Sequence, residues 1–118
     1  MQKFDLEDRT LEFARRVIRL CKSMPFNTIN DQIIKQLIRS SGSIGANYRE
    51  ANDCLGDKDF IFRFKISRKE IKETVYWLEL LKEANSSRAG EVEVEIVEAM
   101  EMKKIFSVII HKLETKKH

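Results

Sequence analysis

The chain has 118 residues, 42% of them hydrophobic and 35% charged, which fits a single domain over residues 1–118 and excludes a disordered polyelectrolyte. Its 22 basic and 19 acidic residues leave a net charge of +3, too small a surplus to indicate a nucleic-acid binder by itself. No apolar run approaches the roughly 20 residues of a membrane span and "MQKFDLEDRT" has no apolar signal region, so a cytoplasmic protein is expected.

The elements read as helices throughout. Leu6, Phe13, Val17, Leu20 or Cys21, and Met24 recur at helical spacing and predict a first helix from about Leu6 to Ser23. Pro25, the single proline, breaks it. Asn30 is the expected N-cap of a second helix running from Asp31 to about Cys54. Gly56 and Asp57 then supply a turn and an N-cap for a third, continuing to about Ala84. After the polar break "NSSRAG", a fourth helix from about Val92 to Leu113 is carried by Ile96, Met100, Ile105 or Phe106, Ile109 and Leu113, with the lysines of "ETKKH" at its frayed end. No segment alternates as a strand would. The fold class expected is all-α, an antiparallel up-and-down four-helix bundle. Cys21 and Cys54 lie far apart without CxxC spacing and read as buried reduced thiols.

The third helix divides into three sides. Phe60, Phe64, Ser67, Ile71, Thr74, Leu78 and Leu81 step by four and three and form the core seam. Phe62, Ile66, Trp77 and Leu80 fall on another side, where exposure would forfeit roughly 1.5–3 kcal/mol for each large side chain. Two readings stand: an oligomer interface, or a third helix central to the monomer. Glu70 and Glu73 lie along this stripe and suit a partly polar subunit contact. The remaining side carries Lys58, Lys65, Arg68, Lys69 and Lys72 within an arc of about 100°. Counting Arg63 against Asp59 and Glu70, residues 58–72 hold a surplus of +4. That is the footprint of phosphate-backbone binding, or else a solvated lysine face. Arg15, Arg16 and Arg19 on the first helix form a second basic group.

The second helix turns small and polar in "RSSGSIGANYREA". Gly42 and Gly45 each cost on the order of 1 kcal/mol in a helix interior, and close packing against the aromatics of the third helix is the expected compensation. Asn47 holds a seam position otherwise filled by Ile and Leu, so its amide needs partners. Glu50, Glu70 and Glu73 are the candidates, with Arg39 or Arg49. A structural polar network and a ligand pocket beside Asn47 and Glu50 both fit.

Enzyme chemistry is not indicated. A di-iron bundle needs paired ExxH motifs, but His111 and His118 follow Val108 and Thr115 at that spacing. "SGSIGAN" lacks the preceding strand of a phosphate loop, and no serine has a base singled out for it. No metal site and no cofactor are expected.

"QLIRSSGSIGANYREA", with Ser43, Ile44 and Asn47 followed by Glu50, and "KDFIFRFKISRKEIKETVYWLELL", with its KDF and YWL elements between Lys58 and Leu78, occur in a characteristic order and spacing. Across nearly the whole chain they resemble the bacterial four-helix-bundle proteins encoded within intervening sequences of large-subunit ribosomal RNA genes, the S23-like family. The pattern departs at Gly45 and Tyr48. The resemblance implies an up-and-down bundle that assembles as a ring, commonly a homopentamer. More distantly the chain is similar to accessory proteins of diversity-generating retroelements, which form such rings and act with nucleic acid and a reverse transcriptase. The combined expectation is a homo-oligomer that binds structured RNA or another nucleic acid, or alternatively a scaffold for a nucleic-acid-processing protein.

Overall fold

The computed structural model describes residues 5–116. Helix α1 spans Leu6–Lys22, α2 Thr28–Asn52, α3 Asp57–Ala84 and α4 Ala89–Thr115, with a single 3-10 turn at Ser86–Arg88 ahead of α4. Among the described residues there is no strand. Cross-links between neighbours run in opposite order along the paired helices. The Ser67 hydroxyl donates to the Ile44 carbonyl at 2.6 Å, while the hydroxyls of Thr74 and Ser40 meet at 2.9 Å. Lys82 pairs with Glu93, and Arg68 reaches Ser107. Asn52 donates to Glu7 and Gly45 lies beside Thr10, so each consecutive pair is antiparallel, and α1 closes on α4 through Arg9–Glu98 and Arg16–Glu95.

Caps account for the boundaries that differ from expectation. Asp5 caps α1, accepting from the backbone N–H of Glu7 and Asp8. Asn27, not Asn30, caps α2, accepting from the Asn30 N–H at 2.8 Å, so the helix starts three residues earlier than read. Asn30 is instead buried, and its amide and that of Asn85 exchange hydrogen bonds at 3.0 and 2.9 Å. Each has a further backbone acceptor, Pro25 for one and Leu81 for the other. This paired amide clasps the start of α2 to the end of α3. Asp57 is the first helical residue of α3, and Gly56 occupies the cap without a side-chain bond.

The core follows the predicted seams of α1 and α3 closely, except that Phe60 is half-buried and its neighbour Ile61 is buried instead. Phe13, Val17, Leu37, Ile44, Phe64, Ile71, Leu78 and Phe106 are fully buried. Phe64 and Phe106 stack at 4.4 Å between centroids, with Tyr48 at 5.5 and 5.9 Å from them. Of the predicted α4 seam, Ile96 and Phe106 lie in the core, whereas Ile105, Ile109 and Leu113 are half-buried. Val92, Ala99, Met102, Phe106 and Ile110 fill the core, whereas Met100 is 46% exposed. Cys21 is buried and Cys54 only half-buried, and both are free thiols.

The glycines of α2 also differ from expectation. A Cβ on Gly45 would stand 2.9 Å from Thr10 Oγ1 and 3.4 Å from Thr10 Cβ, so the close neighbour is α1 and not an aromatic ring of α3. Gly42 faces open space. Among the described residues no helix is long and apolar enough to cross a membrane.

Candidate nucleic-acid interface

Lysines at 58, 65 and 72 are seven residues apart, two helical turns each, and Arg68 and Lys69 fill the interval on the same arc. The α3 core seam faces inward, so this arc turns outward and toward α4. Lys58, Lys65, Lys69 and Lys72 are exposed and Arg68 is half-buried. Lys65, Arg68, Lys69 and Lys72 line a surface depression of ≈ 310 Å³ whose far wall is Lys103 of α4. Lys58 stands beyond its end, beside Phe62 and Lys65 in a neighbouring hollow.

Little negative charge offsets this depression. Lys65 pairs with Glu114, and that hydrogen bond holds the Glu114 carboxyl below its usual range. Arg68 donates to the Ser107 hydroxyl at 3.3 Å. Lys69, Lys72 and Lys103 form no ion pair among the described residues. The concavity thus gathers five cations, of which Lys69, Lys72 and Lys103 could meet a phosphate backbone without displacing an internal partner.

The arginines of α1 are placed differently. Arg16 holds Glu95 at 2.9 Å, while Arg19 and Arg15 lie 2.9 and 3.7 Å from Glu12. The Arg19 hydrogen bond keeps the Glu12 carboxyl below its usual range, and hydrogen bonding to Glu95 raises Arg16 above its own. Glu12 serves both Arg15 and Arg19, so the three cations of this group meet two carboxylates of the same chain and keep a surplus of one.

The expected polar network around Asn47 does not assemble as a unit. Asn47 is half-buried and its amide turns back to the Ser43 carbonyl one turn earlier, at 2.9 Å, which satisfies it without a partner helix. Glu50 is exposed. Glu73 and Glu70 gather instead on Arg39, at 2.9 and 3.7 Å. On the outward side of α3, Ile66, Trp77 and Leu80 are half-buried and Tyr76 is 58% exposed, while Phe62, 61% exposed, stands toward α4 beside Lys58, Lys65 and Glu114. The side that the sequence left unassigned between interface and core is therefore only partly covered by its own chain. Two of its polar atoms, Trp77 Nε1 and Glu70 Oε1, are buried without a hydrogen-bond partner.

Lys103 was missed by sequence reading, and no local signal marks it, because the α3–α4 register alone turns it toward Lys69 and Lys72. Among the described residues no cluster of His, Cys, Asp and Glu could hold a metal ion, and His118 lies outside them.

The model of the 23S rRNA-intervening sequence protein family matches residues 2–107. The crystal structure of a protein with unknown function from the S23 ribosomal protein family of Bacteroides thetaiotaomicron VPI-5482 superposes with a TM-score of 0.78 at 37% sequence identity, over 90% of this chain and 98% of that one. No curated protein matches the chain.

Proposed function

The chain belongs to the 23S rRNA-intervening sequence protein family, and from that footing we propose that it is a self-associating, non-enzymatic bundle that holds structured RNA or another nucleic acid through the basic face of α3. The observation that carries this reading is the depression lined by Lys65, Arg68, Lys69, Lys72 and Lys103, three of whose cations have no internal counter-ion among the described residues. Contacts of this kind neutralise phosphates and carry little sequence information, so binding is salt-sensitive and tolerant of sequence. Self-association, in which a pentameric ring is favoured, would repeat the face and multiply its effect. The compartment proposed is the cytoplasm.

Filter-binding titrations against structured RNA at rising salt test the proposal. Affinity is expected to fall linearly on a log–log plot, and Lys65→Glu with Lys69→Glu is expected to weaken binding and flatten the slope by roughly two phosphate contacts. No affinity at low salt, or an unchanged slope in the double variant, would remove the reading.

A second reading rests on exposed apolar side chains, Phe62 and Tyr76 of α3 and Ile29 of α2. In it the bundle is a scaffold for a nucleic-acid-processing protein and makes no nucleic-acid contact itself. Pull-downs with and without nuclease separate the two, because an RNA-bridged partner is lost on digestion and a directly bound one is kept.

A further inference from the structure

The hollow at the Lys58 end of the basic face differs in character from the depression beside it. Lys58, Ile61, Phe62 and Lys65 of α3 and Glu114 of α4 line a space of ≈ 440 Å³. Ile61 is buried at its base, whereas the Phe62 ring is 61% exposed. A lone exposed phenylalanine is ordinary on a protein surface and by itself means little. The neighbours of this one give it a setting. Lys58 precedes it by four residues and Lys65 follows it by three, so a lysine stands one helical turn from the ring in either direction along α3. Phe60 and Phe64, on the opposite side of the helix, pack ring against ring at 5.3 Å between centroids, and the core closes without Phe62. Among the described residues no other ring stacks on it.

An open aromatic face between cations matches a ligand with flat apolar faces carried on a phosphate chain. Nucleobases in a paired duplex cover one another's faces, but an unpaired base leaves its own free to stack on an aromatic side chain, whichever base it is. Lys65 lines both concavities, so a run of phosphates on Lys69, Lys72 and Lys103 continues past the ring to Lys65 and Lys58. The one carboxylate in the hollow, Glu114, is already engaged by Lys65, and Asp59 lies on the other flank of the ring, outside the hollow. We propose that the hollow receives an unpaired nucleobase stacked on Phe62, with the adjoining phosphates held by Lys58 and by the lysines of the depression. This rests on the nucleic-acid reading above and narrows its ligand to RNA that offers an unpaired base beside a phosphate run, as a loop, a bulge or a free strand does.

Filter binding with the full chain at one salt concentration tests this by comparing a fully paired RNA duplex with the same duplex interrupted by a loop of unpaired adenines. The parent is expected to hold the looped RNA more tightly. Phe62→Ala is expected to weaken binding of the looped RNA by roughly 5- to 150-fold, the range for one stacked base, and to leave duplex binding as it was. Phe62→Tyr keeps a ring there and should retain most of the parent's affinity for the loop. Because the side chain is exposed, circular dichroism should show unchanged helicity in both variants and light scattering the parent's mass. Lys69→Glu, by contrast, should weaken both RNAs. A parent that binds neither RNA at low salt overturns this inference together with the nucleic-acid reading. A parent indifferent to the loop, a Phe62→Ala loss that is equal on both RNAs or absent from both, or a Phe62→Tyr variant as weak as Phe62→Ala overturns this inference alone. So does a change of mass in Phe62→Ala, which would set the ring against a second copy.

Discussion

Replacing Gly45 with alanine tests the packing of α2 against α1 with an internal control three residues away. In an exposed helix interior the exchange stabilises by about 1 kcal/mol through helix propensity. Gly42 has nothing within 4 Å of its would-be Cβ, so Gly42→Ala should realise most of that gain. At Gly45 the new methyl would stand 2.9 Å from Thr10 Oγ1. Thr10 is fully buried and its hydroxyl is tied to the carbonyls of Leu6 at 2.8 Å and Glu7 at 3.1 Å, so it cannot swing aside without losing a bond. Overpacking of this kind costs about 1–3 kcal/mol, which outweighs the propensity gain and leaves Gly45→Ala destabilised by about 1 kcal/mol. The two variants should therefore differ by about 2 kcal/mol, read as urea midpoints by circular dichroism at one fixed protein concentration. Adding Thr10→Ala to Gly45→Ala should recover part of the loss, as a favourable coupling in a double-mutant cycle. If Gly45→Ala were as stabilising as Gly42→Ala, Thr10 would not be the reason for glycine there.

Asn85→Ala strands the buried Asn30 amide and is expected to cost about 1–3 kcal/mol, with the Asn30→Ala, Asn85→Ala double variant costing less than the sum of the singles in urea titrations. Burial pushes the Cys21 thiol up to about 11, so near neutral pH a thiol reagent should titrate Cys54 quickly and Cys21 only on unfolding. The folded chain holds that Cys21 proton more tightly than the unfolded one. Its contribution is therefore complete below the ordinary thiol value and is lost as pH climbs toward 11, a decline that Cys21→Ala should lack in parallel urea titrations. Glu114→Gln releases Lys65 from its counter-ion, and RNA affinity in filter binding should rise roughly 1.5- to 5-fold, the worth of an exposed ion pair.

What was legible in the sequence follows from where its signals are local. The α3 seam could be read because Phe64, Ser67, Ile71, Thr74, Leu78 and Leu81 keep the 3–4 rhythm over most of a 28-residue helix, with lysines standing opposite. The α4 seam could not, because Val94, Val97, Met100 and Val108 make that helix apolar on its outer side as well, and two candidate stripes then compete. Asn27 and Asn30 are equally good caps by residue type. The choice between them is made by Asn85, which is 55 residues further on in sequence from Asn30 and reaches its amide only after α2 and α3 have paired. The same limit applies to the α1 arginines. Their basic spacing was visible, but Glu95, which neutralises Arg16, is 79 residues away from it. The α3 lysines were readable as a free face because the acidic residues within one turn are few and only Glu114, from another helix, reaches in.

If copies associate as proposed, the depression closed by Lys103 is repeated once per copy within one particle. Repeated cations raise affinity by mass action and by summed potential, whereas a single depression offers only a few phosphate contacts. A Phe62→Ala, Trp77→Ala variant removes two large side chains of the stripe expected at a subunit contact but keeps every cation of the depression, and on this reading it should bind fully paired RNA at least tenfold more weakly than the parent and with a shallower salt slope. Equal affinity in that variant would mean that the lysine faces act singly, and that the surfaces joining the copies lie elsewhere on the bundle.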